Sequence, residues 1–241
     1  MKRSLTLFSI LLTILIGASA ILTTIILRGY DVTRADLGSA VLPTQTNDYP
    51  VVILGDSLAA GVGASTPETG FGPLLFSEVV KKHPNASLHN FSQSGATTAD
   101  VVNDQLPRLG LVSNPKLVVL IVGTNDIVQQ LKPTEFEGNW QLLLHAVVMS
   151  PQQTLIFTIP KFAATPAVPD SLKKQADAQT VSYNSYITKS LAPFPSVQVL
   201  DFYTLSFNNL QPGSHLLSND QFHPNDEGYA RIRDAAVPFL K

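Results

Sequence analysis

The chain has no cysteine and few charged residues, and both shortages exclude whole classes of chemistry. Without cysteine there is no disulfide, no thiolate nucleophile, no thiolate zinc site and no lipid-modified cysteine near the N-terminus. Charged residues make up 14% of the sequence, and 16 Lys and Arg against 18 Asp and Glu leave a net charge of −2. Because basic residues occur at most in short pairs, the chain lacks the electrostatic signature of a nucleic-acid-binding protein.

The N-terminus carries one long apolar segment, residues 5–27, with Lys2 and Arg3 before it and Arg28 after it. As a helix this segment would be about 35 Å long, enough to cross a hydrocarbon core of roughly 30 Å. The two basic residues before it favour a cytoplasmic N-terminus. Residues 1–28 are therefore predicted to be a signal anchor, a single transmembrane helix in the cell membrane that places the rest of the chain outside the cytoplasm.

A cleaved secretory signal is the alternative, because Ala18-Ser19-Ala20 has the small-x-small pattern of a cleavage site. Both interpretations export the remainder of the chain. Residues 29–49 are polar and turn-forming, which predicts a tether leading to a domain that spans 50–241. In a sequence of 241 residues with 44% hydrophobic content, that domain is large enough to bury a complete core.

Within 50–241, short apolar runs alternate with segments of helical periodicity, which predicts repeated β-α units. The continuous apolar stretch 117–122 is typical of a strand that is buried on both faces. Five such units predict a three-layer α/β/α sandwich around a five-stranded parallel sheet, where ligands bind beyond the carboxyl ends of the strands. The predicted strands are 51–54, 87–91, 117–122, 154–159 and 197–202, and the predicted helices are 72–82, 98–109, 134–149, 171–191 and 226–240.

Polar segments follow three of these strands, and a fourth precedes the last helix. Ser57 lies just past the first strand in a Gly-Asp-Ser-Leu sequence, residues 90–95 follow the second strand, and Gly-Thr-Asn-Asp (123–126) follows the third. Asp220 and His223 are three residues apart, close enough for the carboxylate to reach Nδ1 of the imidazole. Since a serine hydroxyl becomes a good nucleophile only when an imidazole takes its proton, this combination predicts a serine hydrolase.

Each motif by itself also has an ordinary structural explanation. Gly-Asp-Ser is a common turn sequence, and Asp126 is well placed to cap a helix. Asp56 is expected to bind backbone amides of its own turn and so hold Ser57. The rival serine-hydrolase fold requires Gly-x-Ser-x-Gly, whereas Ala59 stands at the last position here. Catalysis is favoured by the occurrence of all four motifs, each at a strand end or ahead of the last helix.

In sequence and order the four motifs resemble those of the SGNH hydrolase superfamily, also called GDSL esterases and lipases, along the whole domain after the tether. The resemblance implies a flavodoxin-like fold in which Ser57 is the nucleophile, His223 the general base and acid, and Asp220 the carboxylate that orients it. It also implies an oxyanion hole built from the N–H groups of Ser57 and Gly95 and the side-chain amide of Asn125. The motifs resemble those of bacterial lysophospholipase and thioesterase-like members in particular, and the resemblance implies neither a cofactor nor a metal ion.

The activity implied is cleavage of carboxylic esters, lipid-like or other, outside the cell through an acyl-enzyme intermediate. An O-acetyl esterase acting on cell-surface carbohydrate is one alternative, because it would use the same residues on another substrate. A surface protein that keeps the fold only for binding is a second alternative, although the intact catalytic set argues against it. His215 and the apolar segment 162–169 are candidates for lining the substrate pocket.

Overall fold

A parallel β-sheet forms the centre of the computed structural model, which describes residues 49–149, 153–209 and 214–240. All its strand pairs are parallel, and the strand order is β2-β1-β3-β4-β5. The predicted five-stranded parallel sheet of an α/β fold is therefore confirmed. The strands are β1 (Tyr49–Gly55), β2 (Ala86–Asn90), β3 (Leu117–Ile121), β4 (Gln153–Phe157) and β5 (Gln198–Leu200).

Helices cover both faces of the sheet and connect its strands. The longest are those predicted from periodicity, while several others are single turns at strand ends. The helices are α1 (Ser57–Ala60), α2 (Phe71–Lys82), α3 (Thr98–Asp100), α4 (Leu106–Leu109), α5 (Thr124–Val128), α6 (Pro133–Met149), α7 (Asp170–Ser190), α8 (Phe202–Asn209) and α9 (Asp226–Ala236), and a π-helical turn, Val101–Gln105, joins α3 to α4.

Two hydrophobic clusters fill the space between the sheet and the two helical layers. Along β1 the side chains alternate, so that Val52 and Leu54 face one cluster and Val51 and Ile53 face the other. The first cluster includes the buried faces of α6 and α7, and the second those of α2 and α9. Because every β1 residue from 50 to 55 is buried, the strand has the near-continuous apolar character seen in its sequence.

Some element boundaries differ from those predicted. The last strand was predicted over 197–202, but β5 ends at Leu200 and the unpredicted helix α8 begins at Phe202. The reason is Asp201, whose carboxylate accepts hydrogen bonds from the N–H and hydroxyl of Thr204, 3.1 and 2.6 Å away, and so starts a helix. The final helix is α-helical only to Ala236, after which Val237–Phe239 forms a 3₁₀ turn.

The predicted signal anchor and nearly all of the predicted tether lie outside the described residues. Tyr49, taken from the sequence as the end of the tether, is the first residue of β1. Across residues 49–149, 153–209 and 214–240, no helix combines the length and the apolar character needed to span a bilayer.

The strand order creates a crevice at the carboxyl end of the sheet. From β1 the chain moves to one side to form β2 and then returns to the other side of β1 to form β3. At such a reversal the connections leave the two central strands in opposite directions, and the space between them is where α/β proteins bind ligands. The segments after β1 and β3 contain two of the predicted motifs.

Candidate active site

Ser57 is placed by a sharp turn between β1 and α1. At Gly55 the backbone has φ +145°, and a Cβ atom there would lie 1.9 Å from the carbonyl oxygen of Ile121, so only glycine fits. Asp56 caps α1 by accepting a hydrogen bond from Leu58 N–H at 3.0 Å. Ser57 is therefore the first residue of α1, with its side chain buried at the carboxyl edge of the sheet.

The structure brings Ser57, His223 and Asp220 together in one hydrogen-bonded chain. His223 Nε2 lies 2.9 Å from Ser57 Oγ, and His223 Nδ1 lies 2.6 Å from Asp220 Oδ2. In the tautomer this pairing requires, Nδ1–H donates to the carboxylate and Nε2 accepts from the serine hydroxyl. Ser57 and His223 are each 5% exposed, so the contact between them is shielded from water on most sides.

Asp220 is held by three further donors in addition to the imidazole. Its Oδ1 atom accepts hydrogen bonds from the Ser218 hydroxyl and from the N–H groups of Phe222 and His223, at 2.8 to 2.9 Å. Burial by itself would raise the pKa of Asp220, but the hydrogen bond and charge of His223 and the backbone donors hold that pKa well below its usual range. The carboxylate is therefore charged and fixed in orientation across the neutral pH range.

The predicted oxyanion donors lie on two neighbouring turns. Gly95 adopts φ +81°, and no atom lies within 4 Å of the position its Cβ would take, so backbone conformation rather than close approach explains the glycine. Asn125, buried in the first turn of α5, donates a hydrogen bond from Nδ2 to the Ala96 carbonyl at 3.0 Å. That bond ties the turn after β3 to the turn that contains Gly95.

Two buried carboxyl groups, Asp56 and Asp126, lie behind these turns. Burial raises the pKa of Asp56 to about 7, with a smaller contribution from the charge of Asp126 and an opposing one from Leu58 N–H. Burial likewise raises the pKa of Asp126, although that carboxyl accepts hydrogen bonds from the N–H and hydroxyl of Thr98. Both side chains hold backbone turns in place, as expected for Asp56 from its position beside the nucleophile.

The two candidates for the pocket wall lie in different surroundings. His215 has a side chain that is 74% exposed and pairs with Glu227 at 3.2 Å, so it lies at the surface. The segment 162–169 contacts the loop that bears His223. Phe162 packs edge-on against Phe222 with ring centres 6.0 Å apart, and Ala167 N–H donates to the Gln221 carbonyl at 3.4 Å.

Gln105 also contacts the site, although it is not among the predicted site residues. Its side-chain amide is hydrogen-bonded to the backbone of Gly55, two residues before Ser57. Pro107, near the end of the helix predicted over 98–109, removes a backbone N–H that a regular helix would use. No periodicity or motif marks the glutamine itself.

A metal centre has no support in the residues whose positions the structure describes. Across 49–149, 153–209 and 214–240, no three His, Asp or Glu side chains are grouped so that they could hold a metal ion. The hydrogen bonds bring a serine hydroxyl, an imidazole and a carboxylate together at the carboxyl edge of a parallel sheet, which is the arrangement of a serine hydrolase.

The family model of the GDSL-like lipase/acylhydrolase family matches residues 53–231, most of the chain. The chain belongs to this family of the SGNH superfamily, and it is an ester hydrolase. The resemblance first seen in the four motifs is thereby confirmed. A comparison with curated proteins found no match.

Solved structures share the fold at low sequence identity. The psychrotrophic esterase EstA from Pseudoalteromonas sp. is 22% identical with a TM-score of 0.63, over 80% of this chain and 97% of that chain. Phospholipase A1 from Streptomyces albidoflavus NA297 is 20% identical with a TM-score of 0.58, over 80% and 98%. The acetylxylan esterase Axe2 from Geobacillus stearothermophilus is 17% identical with a TM-score of 0.59, over 80% and 94%.

Proposed function

We propose that the chain hydrolyses carboxylic esters of lipid-like or other acyl groups outside the cytoplasm, through a covalent acyl-enzyme on Ser57. The observation that carries this proposal is the continuous hydrogen-bonded chain from Ser57 Oγ through His223 to Asp220, with distances of 2.9 and 2.6 Å. The 2.9 Å distance lets the imidazole take the proton of the Ser57 hydroxyl, and the 2.6 Å distance lets the Asp220 carboxylate hold the imidazole in the tautomer that this transfer needs.

In the acylation step Ser57 Oγ attacks the ester carbonyl carbon while His223 Nε2 takes the hydroxyl proton. The imidazole becomes an imidazolium, whose positive charge the ionised Asp220 stabilises. The bond between the carbonyl carbon and the alkoxide oxygen then breaks while His223 returns the proton to that oxygen. The alcohol leaves, and the acyl group stays bonded to Ser57 Oγ. Deacylation repeats these steps with water as nucleophile, which restores the serine and releases the acid.

The negative charge that develops on the carbonyl oxygen needs donors in the crevice. The N–H groups of Ser57 and Gly95 and the Asn125 amide fill this role in our proposal. In the part of the chain that the structure describes, no protein atom accepts a hydrogen bond from the Ser57 or Gly95 N–H. Asn125 uses one of its two amide N–H bonds for Ala96, which leaves the other to donate to the oxyanion.

A lipid-like acyl group is supported by apolar side chains next to the imidazole. The centre of the Phe222 ring lies 5.0 Å from that of the His223 ring, and Phe162 packs edge-on against Phe222. The partly exposed ring of Phe222 offers apolar surface beside His223, where an acyl chain would pack. Phospholipase A1, one of the structures with this fold, is named for an activity on a lipid ester.

An O-acetyl esterase of cell-surface carbohydrate is the second candidate. It is favoured by the fold shared with an acetylxylan esterase, which is named for an acetyl ester of a carbohydrate. The chemical steps at Ser57 and His223 would be the same, and only the size of the acyl group and the nature of the alcohol would differ.

Hydrolysis of p-nitrophenyl esters from acetate to palmitate tests both candidates, with the Ser57→Ala variant measured alongside. Turnover that depends on Ser57 and is greatest at medium or long chains would support the lipid-like substrate. Turnover confined to acetate, repeated on an acetylated glycan, would support the carbohydrate esterase. A folded protein that neither turns over any ester nor reacts with a fluorophosphonate would contradict the catalytic proposal and favour a binding role.

We further propose that residues 1–28 anchor the enzyme in the cell membrane, with the catalytic domain on the extracytoplasmic side. The support is the uncharged apolar segment 5–27 and the two basic residues before it. Cleavage after Ala20 would release the same domain as a secreted protein.

A further inference from the structure

Gln105 is a buried side chain that contacts the backbone directly before the nucleophile. It is 1% exposed and comes from the π-helical turn, 50 residues along the chain from Gly55. Both polar atoms of its amide bind the same residue, because Oε1 accepts from Gly55 N–H at 2.8 Å and Nε2 donates to the Gly55 carbonyl at 2.9 Å. The amide therefore fixes the peptide groups on both sides of the Gly55 Cα atom.

The sheet itself leaves this position without a neighbouring strand on one side. The pairing of β1 with β2 ends at Ile53 and Asn90, so β2 does not extend as far as Gly55. On the other side, β3 continues alongside β1, and Asp56 N–H donates to the Ile121 carbonyl at 3.0 Å. The Gln105 amide therefore supplies the acceptor that β2 does not provide for the Gly55 N–H, and it adds a donor at the Gly55 carbonyl.

The Gly55 carbonyl also connects the nucleophile to the turn that bears an oxyanion donor. It accepts a second hydrogen bond from Gln93 N–H at 3.0 Å, two residues before Gly95. The Gly55 carbonyl thus accepts hydrogen bonds from Gln105 and from the turn that contains Gly95, and it lies only two residues before Ser57. A change in the orientation of this carbonyl would move the nucleophile and the Gly95 N–H relative to each other.

The unusual backbone of the π-helical turn explains how Gln105 reaches Gly55. Leu106 N–H donates to the Val101 carbonyl five residues back, so the turn holds one residue more than an α-helical turn. Pro107 follows directly and has no N–H with which to continue a regular ladder. The start of the segment is held by Thr97 and Asp100, whose side chains each accept from the other's backbone N–H.

We infer that Gln105 is a positioning residue that sets Ser57 and the Gly95 N–H in their reactive geometry. This inference rests on the proposed acyl-transfer function, because it assigns Gln105 a part in that reaction through Gly55. A displacement of reacting groups by about 1 Å can lower a rate by on the order of 10²-fold. Loss of the Gln105 amide should therefore lower kcat per active site by about 10- to 100-fold, with a much smaller change in KM.

The experiment compares the full-length chain with two variants, Gln105→Leu and Gln105→Glu, and with the control Gln141→Leu. Leucine removes both hydrogen bonds at similar volume, and Gln141 is an exposed α6 side chain whose amide donates to the Tyr186 hydroxyl at 2.9 Å. Active sites are counted by stoichiometric labelling with a fluorophosphonate, so that kcat refers only to folded, reactive molecules. We expect a 10- to 100-fold lower kcat for Gln105→Leu and a wild-type kcat for Gln141→Leu.

The Gln105→Glu variant gives a readout that a purely structural role would not change. A protonated carboxyl can accept from Gly55 N–H and donate to the Gly55 carbonyl as the amide does, whereas a carboxylate would repel that carbonyl. Burial raises the pKa of a carboxyl at this position, so the protonated form persists at mildly acidic pH. The ratio of variant to wild-type kcat per site should therefore be highest at the acid end of the range and fall as pH rises.

Three results would overturn the inference. They are a wild-type kcat per site in Gln105→Leu, a pH-independent ratio in Gln105→Glu, and failure of both variants to fold, which would make Gln105 a residue of the fold alone. If only the leucine variant fails to fold, the pH dependence of the kcat ratio between Gln105→Glu and wild type decides. Absence of Ser57-dependent turnover in the unmodified chain would instead contradict the proposed function, so the two failures are distinguishable.

Discussion

Asn125 has two amide N–H bonds with different tasks. One N–H donates to the Ala96 carbonyl and holds the side chain against the turn that contains Gly95. In our proposal the other N–H donates to the developing oxyanion. Because Asn125 is buried, its orientation is set before substrate arrives. A donor that is already oriented stabilises the transition state without reorganising, which is the main source of its catalytic effect.

The Asn125→Ala variant should lower kcat by about 10²-fold while leaving KM little changed, because the lost hydrogen bond strengthens only in the transition state. Steady-state kinetics on the best p-nitrophenyl ester measures both constants. Gln141→Ala is the matched control, since that exposed amide donates to the Tyr186 hydroxyl at 2.9 Å and has no place in the proposed hole. Full activity in Asn125→Ala would remove Asn125 from the oxyanion hole.

Single residues were predictable where chemistry requires a particular side chain in a particular sequence. Ser57, Asp220 and His223 were expected together, and the structure places them within hydrogen-bond distance. Their catalytic roles stay predictions until activity is measured. Gln105 could not be anticipated, because what matters there is the shape of its backbone turn and the contact with Gly55, and neither leaves a pattern in the sequence.

At the scale of elements, the turn from β1 into α1 buries the carboxyl group that caps the helix. One oxygen of Asp56 accepts from Leu58 N–H, and the other, Oδ2, is buried with no hydrogen-bond partner among the described residues. A helix N-terminus favours a charged carboxylate, but burial opposes it more strongly here and raises the pKa of Asp56 to about 7.

This raised pKa predicts a pH-dependent stability. Between the unfolded pKa near 4 and the folded value of about 7, the folded state binds a proton that the unfolded state releases, so rising pH destabilises the fold through this group. In the wild-type protein the free energy of unfolding should fall by on the order of 4 kcal/mol between these limits because of Asp56, and Asp56→Asn should remove that fall. Urea unfolding of both proteins from pH 4 to 8 measures it, with exposed Asp104→Asn as control. A pH-independent difference between wild type and Asp56→Asn would contradict the prediction.

Long elements were predictable from periodicity, and short ones were not. The helices α2, α6 and α7 lie within a residue or two of the predicted ranges, because each buries an apolar face many turns long. In contrast, α1, α5 and α8 are too short to show a period. Their positions depend on caps and turns, such as Asp56 before α1 and Asp201 before α8.

At the scale of the whole molecule, the fold joins residues that are far apart in the chain. Ser57 and His223 are 166 positions apart, yet the sheet order and the packing of α9 against α2 bring their side chains into contact. The segment between α1 and α2 is also hydrogen-bonded to the start of α9. The Asp226 carboxylate accepts hydrogen bonds from Ser65 N–H at 2.7 Å and from the Thr69 hydroxyl at 2.8 Å.

The proposed location belongs to this scale, because it decides which substrates the domain meets. The full-length chain, expressed in bacteria, should remain in the membrane fraction after alkaline carbonate extraction, since the apolar segment 5–27 would cross the bilayer. Protease added to intact spheroplasts should degrade the catalytic domain. The matched control lacks residues 2–28 and should be soluble and protected inside the cell. A protected full-length domain would contradict the extracytoplasmic proposal.

The sequence by itself determined the class of fold and which strands the motifs follow, and it predicted the serine, histidine and aspartate as the catalytic residues. It could do so because hydrophobic periodicity and reactive side chains are local properties of a chain. Only the tertiary structure decided the strand order, the distances between Ser57, His223 and Asp220, the contact of Phe162 with Phe222, and the attachment of Gln105 to Gly55. These depend on packing between segments distant in sequence, where contact geometry is set by the whole core rather than by neighbouring residues.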